Sequence, residues 1–364
     1  MIAIGIMSGT SGDGADAAAV QLDVPATEIA VVATQSAPYP DALRDAVLAL
    51  GEGKAVDARS IARTHAALGD HYAALAERVI AQLSEGADVI AVHGQTIAHL
   101  PNDHVTFQIG DATRVAERTH VPTVADLRSA DIAAGGQGAP LVPFADLVLF
   151  GRLAPVAVLN IGGIANVTLI ARDDPNAVTA FDTGPGNMVI DGIAALTGRT
   201  HDAEGAGAAR GRIDEQALSE FLAHPYFERR APKTTGREDF GAVFASRLAG
   251  IVTRHGGGHD DALATATALT ARTIAGAIRR ESKAMPKEVL VAGGGARNPT
   301  LMKMLGDALE MTVEPTDARG IPAAYREAIA FAILGAYRLR GLPNTLPRAT
   351  GARRAVSGGA LHLP

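Results

Sequence analysis

The chain has 364 residues, 47% of them hydrophobic and 20% charged, with a formal net charge of -6. That length exceeds one ordinary core, so two lobes with a cleft between them are expected, and the dispersed basic residues make a nucleic-acid backbone a poor partner. With no cysteine the chain has no disulfide, iron–sulfur or thiolate chemistry, and with no tryptophan and 4% aromatics it has few stacking platforms.

No run of ~18 apolar residues exists to span a bilayer. The N-terminus enters a strand with no basic leader, so a cytoplasmic protein acting on a small molecule is expected.

Two apolar segments, Met1–Met7 and Ala15–Val24, flank the turn Met7-Ser8-Gly9-Thr10-Ser11-Gly12-Asp13-Gly14 and read as a hairpin. In the turn Gly9, Gly12 and Gly14 give access to positive φ, Thr10 and Ser11 offer hydroxyls, and Asp13 and Asp16 are suited to orient a metal-bound water. It reads as a phosphate loop, the other reading being a tight turn whose aspartates satisfy backbone amides. From Asp57 to Leu83 the residues Ile61, Leu68, Tyr72, Leu75, Val79 and Leu83 mark one face of a long helix, with His65 as a packed core residue on that face.

Asp88–Val92 is a buried strand ending at His93-Gly94-Gln95-Thr96. Strands follow at Thr106–Ile109 and Pro122–Ala125, separated by a helix from Asp111 to Arg118. The glycine-rich stretch Gly135–Pro140 suits a loop or an interlobe crossing. The expected division is therefore an N-terminal lobe over 1–140, to which the tail 342–364 returns, and a C-terminal lobe over 141–341.

The strand–turn–strand layout recurs where Val156–Leu159 and Val167–Ile170 flank Asn160–Asn166, with Gly162, Gly163 and Asn166 in the second turn. Two such turns, each presenting bare backbone amides, point to a phosphoryl-transfer enzyme. Val178–Phe181 runs into Asp182-Thr183-Gly184-Pro185-Gly186-Asn187, which opens a helix toward Leu196. Asp182, ending an apolar strand, has the partial desolvation and reach of a general base; a helix cap is the other reading.

A helix between His259 and Arg280 precedes the strand Glu288–Ala292 and the cluster Gly293, Gly294 and Gly295 before Asn298. Such a strand-to-helix turn suits a nucleotide, or is a close-packed connection. A last helix spans about Ala323 to Arg340. No Gly-x-x-x-x-Gly-Lys or well-placed Gly-x-Gly-x-x-Gly occurs, and Gly205-x-Gly207 is a poor substitute. Strands mixed with helices throughout imply an α/β class.

Nine blocks taken in order resemble those of the bacterial anhydro-N-acetylmuramic acid kinase family. They are Met7–Asp16, His93–Thr96, Gln108–Asp111, Asp126–Arg128, Gly135–Pro143, Asn160–Asn166, Asp182–Asn187, Pro232–Glu238 and Gly293–Pro299. The resemblance covers nearly the whole chain.

It implies a two-lobed, actin-like (sugar kinase/Hsp70, ribonuclease H-like) ATPase fold with ATP and Mg²⁺ between the lobes, and a homodimer. Gly9–Asp16 would be the first phosphate loop, Gly162–Asn166 the second and Gly293–Asn298 the adenosine contact. The family opens the anhydro ring of its sugar with water while phosphorylating O6, in cell-wall recycling, with Asp182 matching the base. Mg²⁺ would come with ATP, water-bridged by Asp13 or Asp16.

For the sugar the candidates are Asp126, Arg128 and Asp131, with His93 and Gln95 at the cleft wall and Glu327 from the last helix. Arg128 suits the lactyl carboxylate, and surface ion pairing is the alternative for these groups. The chain departs from the family at Gly12, where leucine is usual, and at Ala323-Ala324-Tyr325-Arg326, where an aspartate is common. An actin-type nucleotide switch or scaffold, or a kinase of a different sugar, are the competing functions. Sugar-stimulated ATP turnover separates the switch from the kinase.

Overall fold

The computed structural model describes all residues except 10 and 52–55. It contains two compact units, one of Met1–Leu149 with Tyr325–Pro364 and one of Phe150–Ala324.

The first unit is built on β1 (Ile2–Met7), β2 (Gly14–Leu22), β3 (Ile29–Pro38) and β4 (Val89–Val92), followed by a separate hairpin of β5 (Gln95–Leu100) and β6 (Val105–Ile109), and then β7 (Thr123–Ala125). The main sheet runs β7–β4–β1–β2–β3, with β1, β4 and β7 parallel and β2 antiparallel to both neighbours. Successive residues of β1 face opposite sides. Ile4 and Ile6 enter the core with Leu68, Tyr72, Leu75 and Val79 of the helix Ala58–Ile80. On the other side, a Cβ built on Gly5 would lie 1.9 Å from the Ala328 carbonyl oxygen, so β1 admits the helix Arg326–Leu339 only because residue 5 has no side chain.

The second unit repeats this order with β8 (Val156–Ile161), β9 (Ile164–Ile170), β10 (Val178–Pro185), β11 (Val289–Ala292) and β12 (Val313–Pro315). Its sheet runs β10–β9–β8–β11–β12, two antiparallel hairpin steps and then two parallel neighbours. The helix His259–Glu281 packs Ile274 and Ile278 against Leu159, Ile161, Val167 and Phe181. A second cluster, containing Phe221, Phe227 and Phe240, joins the helices of residues 188–254. A last strand, β13 (Ala360–His362), returns to the first unit antiparallel to β7.

The expected long helix starts where the sequence places it, with Asp57 accepting from the Ser60 N–H, and ends three residues early at Ile80. His65 is half-buried, and its Nδ1 accepts from the Gly110 N–H. The strand β3, the helix Asp41–Gly51 and β5 were not anticipated.

The division also differs from the expected one. The stretch Gly135–Pro140 lies inside the first unit, because backbone bonds from Gly136 to Asp131 and from Gln137 to Thr350 hold it there. The chain crosses at Leu149/Phe150, and the helix Arg326–Leu339 belongs to the first unit. No helix among the described residues is long and apolar enough to cross a membrane.

Candidate active site

In the first unit the turn after β1 closes with the Gly12 N–H donating to the Gly9 carbonyl over 3.3 Å. Gly12 has φ +63, and an added Cβ would meet Leu48 at 3.0 Å, so both backbone and space ask for glycine here. The Ser11 hydroxyl donates to Asp13 at 2.7 Å. Thr10 lies outside the described residues. Gly14 pairs with Pro38 so closely that a Cβ would fall 2.5 Å from the Ala37 carbonyl. Asp16 accepts from Ser36 at 2.5 Å, and Ser36 meets the Tyr325 hydroxyl at 3.0 Å. Tyr325, in the stretch where the family commonly has an aspartate, thus reaches the turn's carboxylate through a serine.

Gln95 is buried and fully engaged: its Nε2 donates to the Gly9 carbonyl and its Oε1 accepts from Tyr39. Tyr39 touches Tyr72, and Tyr72 touches Ser8. Gln95, expected at the cleft wall, therefore braces the turn at Gly9. The cause is burial, since a buried amide must find partners in the protein.

His93 is likewise buried, with its ring 4.7 Å from that of Phe331. Its Nε2 accepts from both Nε and Nη2 of Arg128, at 3.2 and 2.8 Å. Burial, reinforced by the Arg128 charge, holds the imidazole down to about 3, so it is neutral at physiological pH. Burial also lowers Arg128, to about 10, against the pull of Glu327, and the guanidinium stays charged. The Glu327 carboxyl is raised by burial, opposed by Arg326 and Arg128 and reinforced by Asp16 and Asp146. Arg326 itself is locked in a buried pair with Asp146.

Asp126 is exposed, has φ +51 at the end of β7, and accepts from Ser129. A left-handed aspartate costs about 1 kcal/mol or more and tends to occur where a side chain must be aimed. Asp131 is different. It is fully buried, with Oδ2 accepting from the Gly138 N–H at 2.9 Å and Oδ1 from the Thr350 hydroxyl at 2.7 Å. Both oxygens serve the protein, which corrects its expected place among the sugar ligands. Asp126 is exposed, and Arg128 and Glu327 are partly exposed.

In the second unit the two-residue turn Gly162-Gly163 joins β8 to β9. Its carbonyls accept from the backbone N–H groups of Gly186, Asn187 and Met188, which seats the helix Met188–Ala195 on the turn. The register places Asn160 opposite Asn166, and Asn166 opposite Asp182. Directly opposed residues share a face. Three polar side chains thus stand in one row across β8, β9 and β10. Gly293, just past the end of β11, lies against Asn160, where a Cβ would fall 2.7 Å from its Oδ1.

Asp182 lies within β10, and the helix begins only at Met188 with Asn187 at its cap position, so the capping reading does not hold. An irregularity in pairing between Asp182 and Gly184 turns the strand at this carboxylate. Its Oδ2 accepts from the Thr235 N–H at 3.1 Å, and Oδ1 has no hydrogen bond among the described residues. Burial raises the carboxyl to about 6, opposed by the Thr235 N–H and the Lys233 charge. The Asp182 carbonyl accepts from the Tyr226 hydroxyl at 2.7 Å. Lys233, Thr235 and Tyr226 surround the carboxylate and carried no role in the sequence reading. The polar run Pro232–Glu238 was the available signal.

At the third turn Gly293 has φ +80, and Gly295 presses on Ile161, where a Cβ would lie 2.4 Å away. Gly294 is the exposed member. Asn298 caps the helix Pro299–Leu309, its Oδ1 accepting from the Leu301 N–H. Around Gly205-x-Gly207 the anion is the protein's own, with Asp202 accepting from the Gly207 and Ala208 N–H groups.

Each unit thus carries the ribonuclease H-like strand order and a glycine turn after its first strand. Among solved structures, component A of the (R)-2-hydroxyglutaryl-CoA dehydratase of Acidaminococcus fermentans is similar to this chain in fold. It has a TM-score of 0.52 at 12% identity, covering 93% of this chain and 99% of that one. The fold so defined is the actin-like, ribonuclease H-like one.

The family model described as anhydro-N-acetylmuramic acid kinase matches residues 1–364. Curated proteins of that name from Azorhizobium caulinodans and Salinibacter ruber are 44% and 40% identical to it. The first match covers 100% of both chains, the second 99% of this chain and 96% of the relative. The chain belongs to the anhydro-N-acetylmuramic acid kinase family and is an ATP-dependent kinase.

Proposed function

We propose that the protein opens 1,6-anhydro-N-acetylmuramic acid with water and transfers the γ-phosphoryl group of ATP to O6. The products are N-acetylmuramic acid 6-phosphate and ADP, and the step serves murein recycling. The observation that carries the chemistry is Asp182, with one oxygen pinned by Thr235, the other available, and a carboxyl at about 6.

A general base needs a value near the working pH and an oxygen within reach of the proton. Asp182 takes the proton from the water that attacks the anomeric carbon. The C1–O bond breaks, and its electrons pass to the oxygen that receives the phosphoryl group. The arrangement resembles inverting glycoside hydrolysis, with phosphoryl transfer in place of protonation of the leaving group. Positioning supplies much of the rate in such transfers.

Among the described residues no group of three or more His, Asp or Glu forms a metal cage. Mg²⁺ is typically carried on nucleotide phosphates and held by one or two carboxylates. Asp13 and Asp16 are the residues that would hold it through water, and the ion would neutralise charge on the transferring group. Gly9, Ser11, Gly12 and Gly14 cradle phosphate on one unit; Gly162, Gly163 and Asn166 do so on the other, with Gly293–Gly295 against the adenosine. Asp126, Arg128 and Glu327 take the sugar, Arg128 pairing with the lactyl carboxylate.

The lack of cysteine supports a cytoplasmic location, and the family resemblance supports a homodimer, which sedimentation checks. Purified protein with ATP, Mg²⁺ and the anhydro sugar is expected to release ADP and a 6-phosphosugar. No turnover above background with that sugar would sink the reading. In ¹⁸O-water the label is expected at the anomeric hydroxyl.

A further inference from the structure

We infer that Asp131 and Thr350 are positioning residues for Arg128, forming a buried relay from the C-terminal segment that aims the guanidinium at the sugar's carboxylate. The inference rests on the reading that Arg128 takes the carboxylate.

Arg128 is held from two sides. On one, His93 Nε2 accepts from its Nε and Nη2. On the other, Nη1 donates to the Gly138 carbonyl at 2.7 Å. A guanidinium has five N–H donors. With three engaged, one N–H remains on each of Nη1 and Nη2 to meet a carboxylate.

The direction of those two N–H groups depends on where the Gly138 carbonyl stands. Gly138 has φ +70 and sits in a stretch with three glycines, which would be loose if nothing tied it. Asp131 ties it, its Oδ2 accepting from the N–H of the same Gly138 whose carbonyl holds Arg128. The loop is wrapped so tightly round this carboxyl that a Cβ on Gly136 would fall 2.2 Å from Oδ2.

Asp131 is in turn set by Thr350, 219 residues away, whose hydroxyl donates to Oδ1. The Thr350 carbonyl accepts from the Gln137 N–H, and the Arg353 N–H donates to the Ala134 carbonyl, so the C-terminal segment grips both ends of the loop. A buried carboxyl is costly unless its oxygens are satisfied. Here the two oxygens join the C-terminal segment to the residue that orients Arg128.

The test compares kcat/KM for two substrates, the anhydro sugar with its lactyl carboxylate and 1,6-anhydro-N-acetylglucosamine, which lacks it. Thr350→Val removes the donor at nearly constant shape. It is expected to lower the preference for the carboxylate-bearing sugar by about tenfold, the scale of a misaligned hydrogen bond to a charged group. Thr350→Ser keeps the hydroxyl and is expected to restore the preference. Arg128→Ala is expected to abolish it.

If Thr350→Val slows both sugars by the same factor, Thr350 is merely structural and the relay is overturned. Should Thr350→Val fail to fold, Thr350→Ala, which removes the same donor in less space, decides on the same ratio. A preference that survives Arg128→Ala would overturn the assignment of Arg128 and the relay together. One lost in Arg128→Ala but kept in both relay variants would overturn the relay alone.

Discussion

Lys233 places its ammonium 4.5 Å from the centre of the Tyr226 ring, and the hydroxyl of that same ring donates to the Asp182 carbonyl. Lysine and tyrosine thus brace Asp182 from the segment that follows residue 225. Burial lowers Lys233 to about 8, so it carries its charge at neutral pH.

Removing this charge is expected to move the base. The Lys233 cation favours the ionised Asp182, so Lys233→Met raises the carboxyl above about 6. The acid limb of the kcat/KM profile shifts to higher pH. A limb that stays in place or moves down would separate Lys233 from the base.

Asp182→Asn is expected to lower turnover by about a hundredfold or more while ATP binding persists. It also has a signature in stability. The folded carboxyl sits at about 6, above its ordinary 3.8, so the native state binds this proton more tightly than the unfolded chain. That contribution is full below the ordinary value and is lost as pH rises through about 6. Melting temperatures of wild type and variant are therefore expected to converge toward acid pH, with the variant ahead at about pH 8.

His93 behaves in the opposite sense. Its folded value of about 3 lies below the usual 6.5, so the unfolded chain binds the extra proton first. Stability falls as pH drops below about 6.5, by up to ~1.4 kcal/mol per pH unit from this group. Urea unfolding near pH 7 and pH 5 measures the loss, and His93→Gln is expected to reduce it. The imidazole resonances are expected to stay neutral across the same range, and titration near 6.5 would contradict the pairing with Arg128.

Gly5→Ala is expected to destabilise the first unit by about 3 kcal/mol or more, because the new methyl overlaps the backbone of the helix that β1 must admit. That helix carries Glu327 one residue past its start, so sugar turnover falls with it. An unfolding midpoint equal to wild type would show that the helix retreats without cost.

The placement of the glycine turns and of Asp182 was legible in the chain because glycine and aspartate leave local signatures. The turns at Gly9–Gly14, Gly162–Gly163 and Gly293–Gly295 lie at strand ends as expected, and Asp182 lies in a strand. His93, Gln95 and Asp131 were less legible. Each is a polar residue that suits a binding site or a buried network equally well, and sequence cannot say which way such a side chain points. In the fold they are buried and bonded to protein partners at Arg128, Gly9 and Thr350.

By itself the sequence determined the family, the α/β alternation and the recurrence of a strand–glycine turn–strand unit, since these depend on spacing within short segments. Only the tertiary structure decided where the units divide, which carboxylates remain available, and that Lys233 and Thr235 stand beside Asp182. The physical reason is range. Periodicity acts over a few residues, while the partner of a buried polar atom is whatever the fold brings within about 3 Å, here from as far as 219 residues away.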